Sequence, residues 1–170
     1  MKNTKEFELI IQDIIENPTV QKMKNFKQHY ETSCYDHCKN VALISYKICK
    51  KLHLDYISVA RAGMLHDLFL YDWRHRENGR KGLHAFTHPK AALENSKKLF
   101  NLSSKEQDII LKHMWPVTLT FPKYAESYIV TFSDKYCAIS ESFSYYYKVF
   151  FSRKYLRLAY IFLCLFIIHL

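Results

Sequence analysis

Apolar residues recur at spacings of three and four along most of this chain, a pattern typical of amphipathic helices. The first such stripe consists of Phe7, Ile10, Ile11, Ile14 and Ile15. It ends at Asn17-Pro18. We expect this opening helix to cover the core and to carry no chemistry.

The second predicted helix begins after Thr32-Ser33, two residue types that cap helix N-termini. Its inward face combines one histidine with apolar residues: His37, Val41, Ile44, Ile48 and Leu52. A single histidine on such a face is ordinarily a hydrogen-bonded core residue, so this helix alone indicates no function. The third helix extends from about Asp55 to His66, and its small residues at 62–63 allow a close approach to a neighbouring helix.

Two further helices are predicted downstream. Pro89 fits the first turn of a helix, which would place His88 at the N-terminal edge of that helix. The next helix has a capping-box pattern, Ser103 followed by Glu106, and carries His113 near its C-terminal end.

The last helix of this series begins near Ala125-Glu126 and carries Asp134 among apolar residues. Burying an acid there is costly unless the acid is paired or bound to a metal. Together these elements predict an all-α fold, a single-domain bundle of about six or seven helices.

Composition supports a helical globule. The chain has 170 residues, 49% of them hydrophobic, with only three glycines and four prolines, which argues against disorder and against a turn-rich β fold. The formal net charge is +9, which favours anionic partners such as phosphoesters, nucleic acid or an acidic membrane surface. Because no helix-turn-helix or similar motif is evident, we expect no specific nucleic-acid partner.

The five cysteines are scattered and form no CxxC pair, and the first residues lack the apolar stretch of a signal peptide. Reduced thiols and a cytoplasmic location are therefore expected. Cys34 and Cys38 lie one helical turn apart around His37, a spacing that could suggest zinc. Since no second Cys/His pair with structural-zinc spacing accompanies them, packing is the favoured interpretation.

The motif that points most directly to chemistry is His66-Asp67, which follows the small-residue helix. An adjacent imidazole and carboxylate suit a divalent metal with mixed nitrogen and oxygen ligands. The dipeptide is common by chance, but four further candidate ligands lie in or beside predicted helices. They are His37, His88, His113 and Asp134.

This order of residues resembles the HD-domain superfamily of metal-dependent phosphohydrolases, over roughly residues 28–140. The segment 62–67 looks like the core signature of that superfamily, and the segment 131–135 looks like its final aspartate motif. The resemblance implies a first metal held by His37, His66, Asp67 and Asp134. The extra histidines His88 and His113 are similar to those of the dinuclear branch, in which Asp67 would bridge two metals.

The implied activity is hydrolysis of a nucleotide or other small phosphoester by metal-activated water, with Asp67 and His66 at the catalytic centre. One or two divalent transition metals per chain are expected. The ligand set favours iron or manganese and also admits zinc, cobalt or nickel. The alternative is a non-catalytic binding or signalling module that keeps the HD fold.

Residues near the predicted ligands supply candidate phosphate contacts. They are Lys135, Arg74, Arg76, His84 and His29. Cations between positions 72 and 84 could clamp phosphates or belong to a solvated loop, and the sequence leaves both open. His84 could also replace His88 as a ligand, but the His-Pro context of His88 resembles the family position more closely.

Three regions are predicted: an N-terminal helical cover over 1–27, an HD-like metal-binding core over 28–140, and a basic then apolar C-terminal helix over 141–170. The final apolar run covers 158–170, shorter than the roughly 20 residues that span a bilayer. Core packing, a homodimer contact or a membrane-surface contact would each suit this helix, and the first two together are favoured.

Overall fold

The computed structural model describes residues 2–74, 82–152, 155–158 and 160. Helices dominate these ranges, which confirms the all-α prediction. The α-helices are α1 Lys2–Ile10, α2 Gln12–Ile15, α3 Pro18–Gln21, α4 Cys34–Lys51, α5 Tyr56–Leu65, α6 His84–Leu99, α7 Ser104–Lys112 and α8 Ala125–Phe150. Among the described residues, six of them have nine or more residues, in keeping with the expected bundle.

The N-terminal stripe folds as two helices rather than one, because the chain turns at Ile11 between α1 and α2. Phe7, Ile11 and Ile14 nevertheless lie in the core. The side chain of Asn17 then accepts hydrogen bonds from backbone N–H groups of the next helix and caps α3. A 3-10 helix, Lys22–Asn25, follows α3.

A short antiparallel hairpin precedes α4 and was not predicted. Its strands are β1 Lys27–His29 and β2 Thr32–Ser33. Its turn includes Tyr30 at a φ of 49°. Strands this short lack the alternating stretch of four to eight residues that makes a strand recognisable in a sequence.

Helix α4 occupies the centre of the bundle and packs against α5 and α8. Ser33 and Asp55 cap α4 and α5, with side-chain oxygens that accept backbone N–H groups three residues later. The close approach expected from the small residues is present, because a Cβ added to Gly63 would lie 2.9 Å from the Cα of Ala42. Helices α4 and α5 thus meet backbone to backbone directly before His66.

Helix α6 begins at His84, five residues earlier than predicted, so Pro89 lies inside the helix and not in its first turn. Two side chains of the opening turn bond to backbone carbonyls. The hydroxyl of Thr87 donates to the carbonyl of Leu83, and Nδ1 of His88 lies 2.7 Å from the carbonyl of His84. These bonds hold the turn that precedes the proline, a contribution that the His-Pro pair alone does not reveal.

The remaining helices follow their sequence signals. The capping box is present at the start of α7, where Ser103 and Glu106 exchange hydrogen bonds. Helix α8 begins at the predicted Ala125 and runs without interruption past Glu141, so the expected boundary at 140/141 falls inside it. The region limits otherwise stay predictions, and residues 153–154, 159 and 161–170 of the C-terminal region lie outside the described residues.

Across the described ranges, no helix is both long enough and apolar enough to cross a membrane.

Candidate metal centre

Five helices converge on one buried cluster. His37 lies in the first turns of α4, and His66 is the C-cap of α5 with Asp67 directly after it. Helices α6, α7 and α8 supply the other three candidate ligands, His88, His113 and Asp134. All five segments bring these side chains to the same point, so the structure assembles the six residues that the resemblance implied.

Three of the histidines have the same orientation. In each, Nδ1 lies 2.7–2.8 Å from a backbone carbonyl three or four residues earlier, and a carbonyl can only accept a hydrogen bond. Nδ1 therefore carries a proton in each ring, and Nε2 points into the cluster, where it binds either a second proton or a metal. These histidines are His66, His88 and His113.

Asp67 faces both halves of the cluster. One carboxylate oxygen, Oδ1, lies 3.2 Å from Nε2 of His88 and 3.5 Å from Nε2 of His113. The other oxygen, Oδ2, lies 3.5 Å from Nε2 of His66 and accepts a 2.6 Å hydrogen bond from the amide of Gln28. Each oxygen thus serves a different set of histidines, which is the arrangement that a bridging carboxylate needs.

Several buried atoms in this cluster need a cation. Nε2 of His88 and Nε2 of His113 are 2.8 Å apart, and because Nδ1 is protonated in both rings these two atoms repel each other unless a proton or a metal ion is bound to them. Nε2 of His66 and Oδ1 of Asp67 are also buried with no hydrogen-bond partner in the described part of the chain. A divalent metal with nitrogen and oxygen ligands satisfies all four atoms, so the donor set fits the group that the sequence implied.

His37 is oriented differently. Its Nε2 lies 3.0 Å from Oδ1 of Asp134, and its Nδ1 lies 3.1 Å from Oε2 of Glu141. A carboxylate behind a ligating imidazole orients the ring and makes it a stronger ligand. Glu141 was assigned to the C-terminal region and missed as part of the site, although it follows Asp134 by seven residues and therefore lies on the same face of α8.

The electrostatics of the cluster follow from its burial and its mixed charges. Burial alone would raise the pKa of Asp67, but the neighbouring His66 and His88 hold the pKa of that carboxyl well below its ordinary value. Burial likewise would lower the pKa of His37, yet the carboxylates of Asp134 and Glu141 hold it well above its ordinary value. Protons therefore compete with a metal for His37, and metal binding must release them.

A cleft of about 310 Å³ opens onto the cluster and is lined partly by Asp67, Asp134 and three predicted substrate contacts. These contacts are His29, His84 and Lys135. The ammonium of Lys135 is half-buried and donates to the backbone carbonyls of His113 and Thr131 at 3.3 and 3.4 Å. The structure thus places one cation at the wall of the cleft, next to Asp134.

His84 is an aromatic wall of the cleft rather than a member of the ligand cluster. Its ring stacks between His88 and Trp73, with centroids 4.4 and 5.4 Å away. The ring of His29, which also lines the cleft, lies edge-on to His37 at 5.1 Å.

Arg74 does not line the cleft. It is exposed and forms a two-point ion pair with Asp72, with nitrogen–oxygen distances of 2.9 and 2.5 Å. Arg76 lies outside the described residues.

The thiols of Cys34 and Cys38 lie within 4.8 Å of the Asp67 carboxylate. Cys34 donates to the backbone carbonyl of Asp67 at 3.2 Å, and complete burial holds the pKa of the Cys38 thiol well above its ordinary value. Since zinc binds the thiolate, this environment supports the packing interpretation. The four cysteines of the described residues are all free and buried.

Comparison with known proteins bears on the family and not on the substrate. Neither the curated proteins nor the solved structures contain a match to this chain. The family model described as HD domain matches residues 34–139, from the first residue of α4 into the middle of α8. This match covers more than half of the chain and all six residues of the buried cluster, and we conclude that the protein belongs to the HD domain family.

Proposed function

We propose that this protein is a metal-dependent phosphohydrolase that cleaves a nucleotide or another small phosphoester. The observation that carries the proposal is the position of Asp67, whose two oxygens face two separate sets of imidazole nitrogens at 3.2–3.5 Å. His37, His66 and Asp134 would hold one metal with Asp67. His88 and His113 would hold a second metal, again with Asp67.

A bound divalent metal lowers the pKa of its water toward neutrality and balances charge on phosphoryl oxygens. The chain itself supplies orientation. The carbonyls that accept from Nδ1 of three histidines keep every Nε2 aimed at the cluster, and the amide of Gln28 fixes the plane of the Asp67 carboxylate. Buried ligands held in this way lose little freedom when a metal binds.

The cleft supports a small substrate. A volume of about 310 Å³ is at the low end of small-molecule sites, which favours a compact phosphoester over a polymer. Lys135 is the basic residue that lines this cleft among the described residues, and its place beside Asp134 suits a phosphate oxygen bound at the cluster. We propose it as the main phosphate contact, with His29 and His84 as walls.

The test is metal content together with hydrolysis, on protein purified without chelator. We expect about two transition metals per chain in the wild type. Asp67→Asn should lose both because it removes the bridge, whereas His88→Ala should keep one. His53→Asn is the matched control, because His53 is exposed and its φ of 56° is one that asparagine tolerates.

The same proteins are then assayed with nitrophenyl phosphate mono- and diesters and with common nucleotides, each with added Mn²⁺ or Fe²⁺. Hydrolysis that Asp67→Asn abolishes would support the proposal. Metal binding without cleavage of any phosphoester would favour the binding or signalling module instead. A chain that binds no metal under these conditions would refute the assignment of the site.

A further inference from the structure

Helix α8 carries a second feature on the face opposite the metal centre. Large apolar residues recur along it at alternating spacings of three and four, which is the seven-residue repeat of paired helices. We call this stripe the α8 seam. Its members are Ile129, Phe132, Tyr136, Ile139, Phe143, Tyr146 and Phe150.

The seam is exposed in the single chain. Six of its seven residues, all except Ile129, have exposed fractions between 57 and 71%. At about 100° per residue, its centre lies about 180° around the helix from Asp134 and Glu141. Tyr146 shares a hydroxyl hydrogen bond with Tyr30 and its ring packs edge-on to that of Tyr30 at 5.2 Å, but the residue stays 57% exposed. Burial in the metal centre therefore does not explain why these positions are apolar.

We infer that the α8 seam is the interface of a homodimer, in which α8 packs against α8 of a second copy about a two-fold axis. The exposed area of the seam is large enough for a stable dimer. Aromatic side chains offer about 150–250 Å² each, so the five exposed aromatic residues of the seam, at about six-tenths exposure, together with Ile139 present roughly 700–800 Å² per chain. A stable interface of standard size buries about 800 Å² per partner.

The charge pattern also supports a second copy. Between Ile129 and Phe150 the basic residues are Lys135, which donates into the protein at the cleft, and Lys148, which lies toward the opposite face. Positions that flank the seam are mostly uncharged, including Ser133, Ser140 and Ser142. Between Ile129 and Phe150 a two-fold axis therefore brings no like charges together, whereas a membrane-surface helix would carry lysine or arginine beside its apolar face.

The groove at the N-terminal end of the seam extends the same surface. Ile44 and Ile48 of α4 line a cavity of about 620 Å³ together with Ile129, Phe132 and Tyr136 of α8. A partner side chain from the opposite α8 would fill this cavity as a knob fills a hole. The inference does not depend on the proposed hydrolase activity, because the seam shares no residue with the metal centre.

The test is the mass of the full chain in solution, by sedimentation velocity from about 1 to 200 µM, with and without chelator. We expect a species at twice the chain mass of 20.4 kDa that persists when metal is removed. Ile139→Glu should raise the dissociation constant of the dimer at least tenfold, so that the monomer predominates. Leu9→Glu is the matched control, since Leu9 on α1 has the same 70% exposure as Ile139, and it should stay dimeric.

A second variant does not depend on disrupting the interface. Ile139 is the middle member of the seam, so it faces its own counterpart whether the two helices run parallel or antiparallel. Under mild oxidation Ile139→Cys should form a covalent dimer that a reductant separates, and Leu9→Cys should not. Circular dichroism and thermal unfolding verify that each variant is folded.

Several outcomes would overturn the inference. One is a wild-type chain that stays monomeric at 200 µM and fails to cross-link through position 139. Another is a dimer that survives Ile139→Glu. A monomer that sediments with anionic phospholipid vesicles, but not when it carries Ile139→Glu, would assign the seam to a membrane surface instead.

Discussion

Replacing Gly63 by alanine tests whether the contact between α4 and α5 is as close as the structure shows. At an unhindered helix position this change stabilises a protein by up to about 1 kcal/mol, because glycine is a poor helix former. Here the added Cβ would lie 2.9 Å from the Cα and 3.2 Å from the Cβ of Ala42. The Cα belongs to the backbone of α4 and cannot rotate away, so the two helices would have to separate.

The expected cost can be set against the gain from helix propensity. Overpacking a well-filled core costs about 1–3 kcal/mol, and a clash with backbone belongs at the upper end of that range. Subtracting the propensity gain leaves a net loss of about 2 kcal/mol. For a domain of this size the melting temperature should fall by about 4–8 °C. Helix propensity alone would raise the free energy of unfolding, whereas the clash with Ala42 lowers it, so the direction of the measured change distinguishes the two effects.

The assay is thermal and urea unfolding of the wild type and Gly63→Ala in the presence of chelator, so that metal binding does not contribute. A second measurement is metal content. The carbonyl of Gly63 accepts from Nδ1 of His66, and movement of α5 should therefore also weaken metal binding. A variant as stable as the wild type, or more stable, would refute the close contact.

Two further predictions concern carboxylates that accept hydrogen bonds within the fold. Glu141→Gln keeps an acceptor for Nδ1 of His37 but removes its charge, and metal affinity should fall about tenfold in a competition titration with a chelating dye. Glu31→Gln, at an exposed position, should leave the affinity unchanged. Asp108 accepts from Lys112, Lys123 and Ser127, and these bonds outweigh burial and hold the pKa of Asp108 below its ordinary 3.8. A carboxyl whose pKa is lowered by folding stabilises the fold at a pH above its unfolded-state pKa. Asp108→Asn should therefore lower the free energy of unfolding in urea by on the order of 2 kcal/mol at pH 7. The difference from the wild type should narrow as the pH falls below about 4, and a difference that does not change with pH would contradict this account.

Local signals in the sequence located most helix starts. The starts of α4, α5 and α7 follow from Ser33, Asp55 and Ser103, because a capping side chain bonds to backbone groups only two or three residues away. The predicted start of α6 was wrong, because no capping side chain marks the true start of that helix in the sequence. Its opening turn depends on bonds from Thr87 and His88 to backbone carbonyls, and the His-Pro pair suggested a later start.

The identities of the candidate ligands were readable from the sequence, because a histidine or aspartate on an apolar helix face needs a partner and the order of the six residues resembles the HD family. The residues that hydrogen-bond to these ligands and orient them could not be identified from the sequence. Glu141 and Gln28 reach His37 and Asp67 from elements far away in the chain, and no periodicity specifies such a pair. For Arg74 the sequence was misleading. Its position between two ligand segments suggested a phosphate contact in the cleft, but its guanidinium is paired with Asp72.

The sequence by itself therefore determined the helical class, the helix caps and the residue types of the metal centre, because these depend on neighbours within about one helical turn. Only the tertiary structure decided which face of each helix is covered. The seven-residue repeat of α8 is present in the sequence, but a buried stripe and an exposed one have the same periodicity. Packing of α8 against α4 leaves the side chains of Asp134 and Glu141 only 13 and 11% exposed, whereas the α8 seam stays open to solvent, and burial is a property of the assembled bundle.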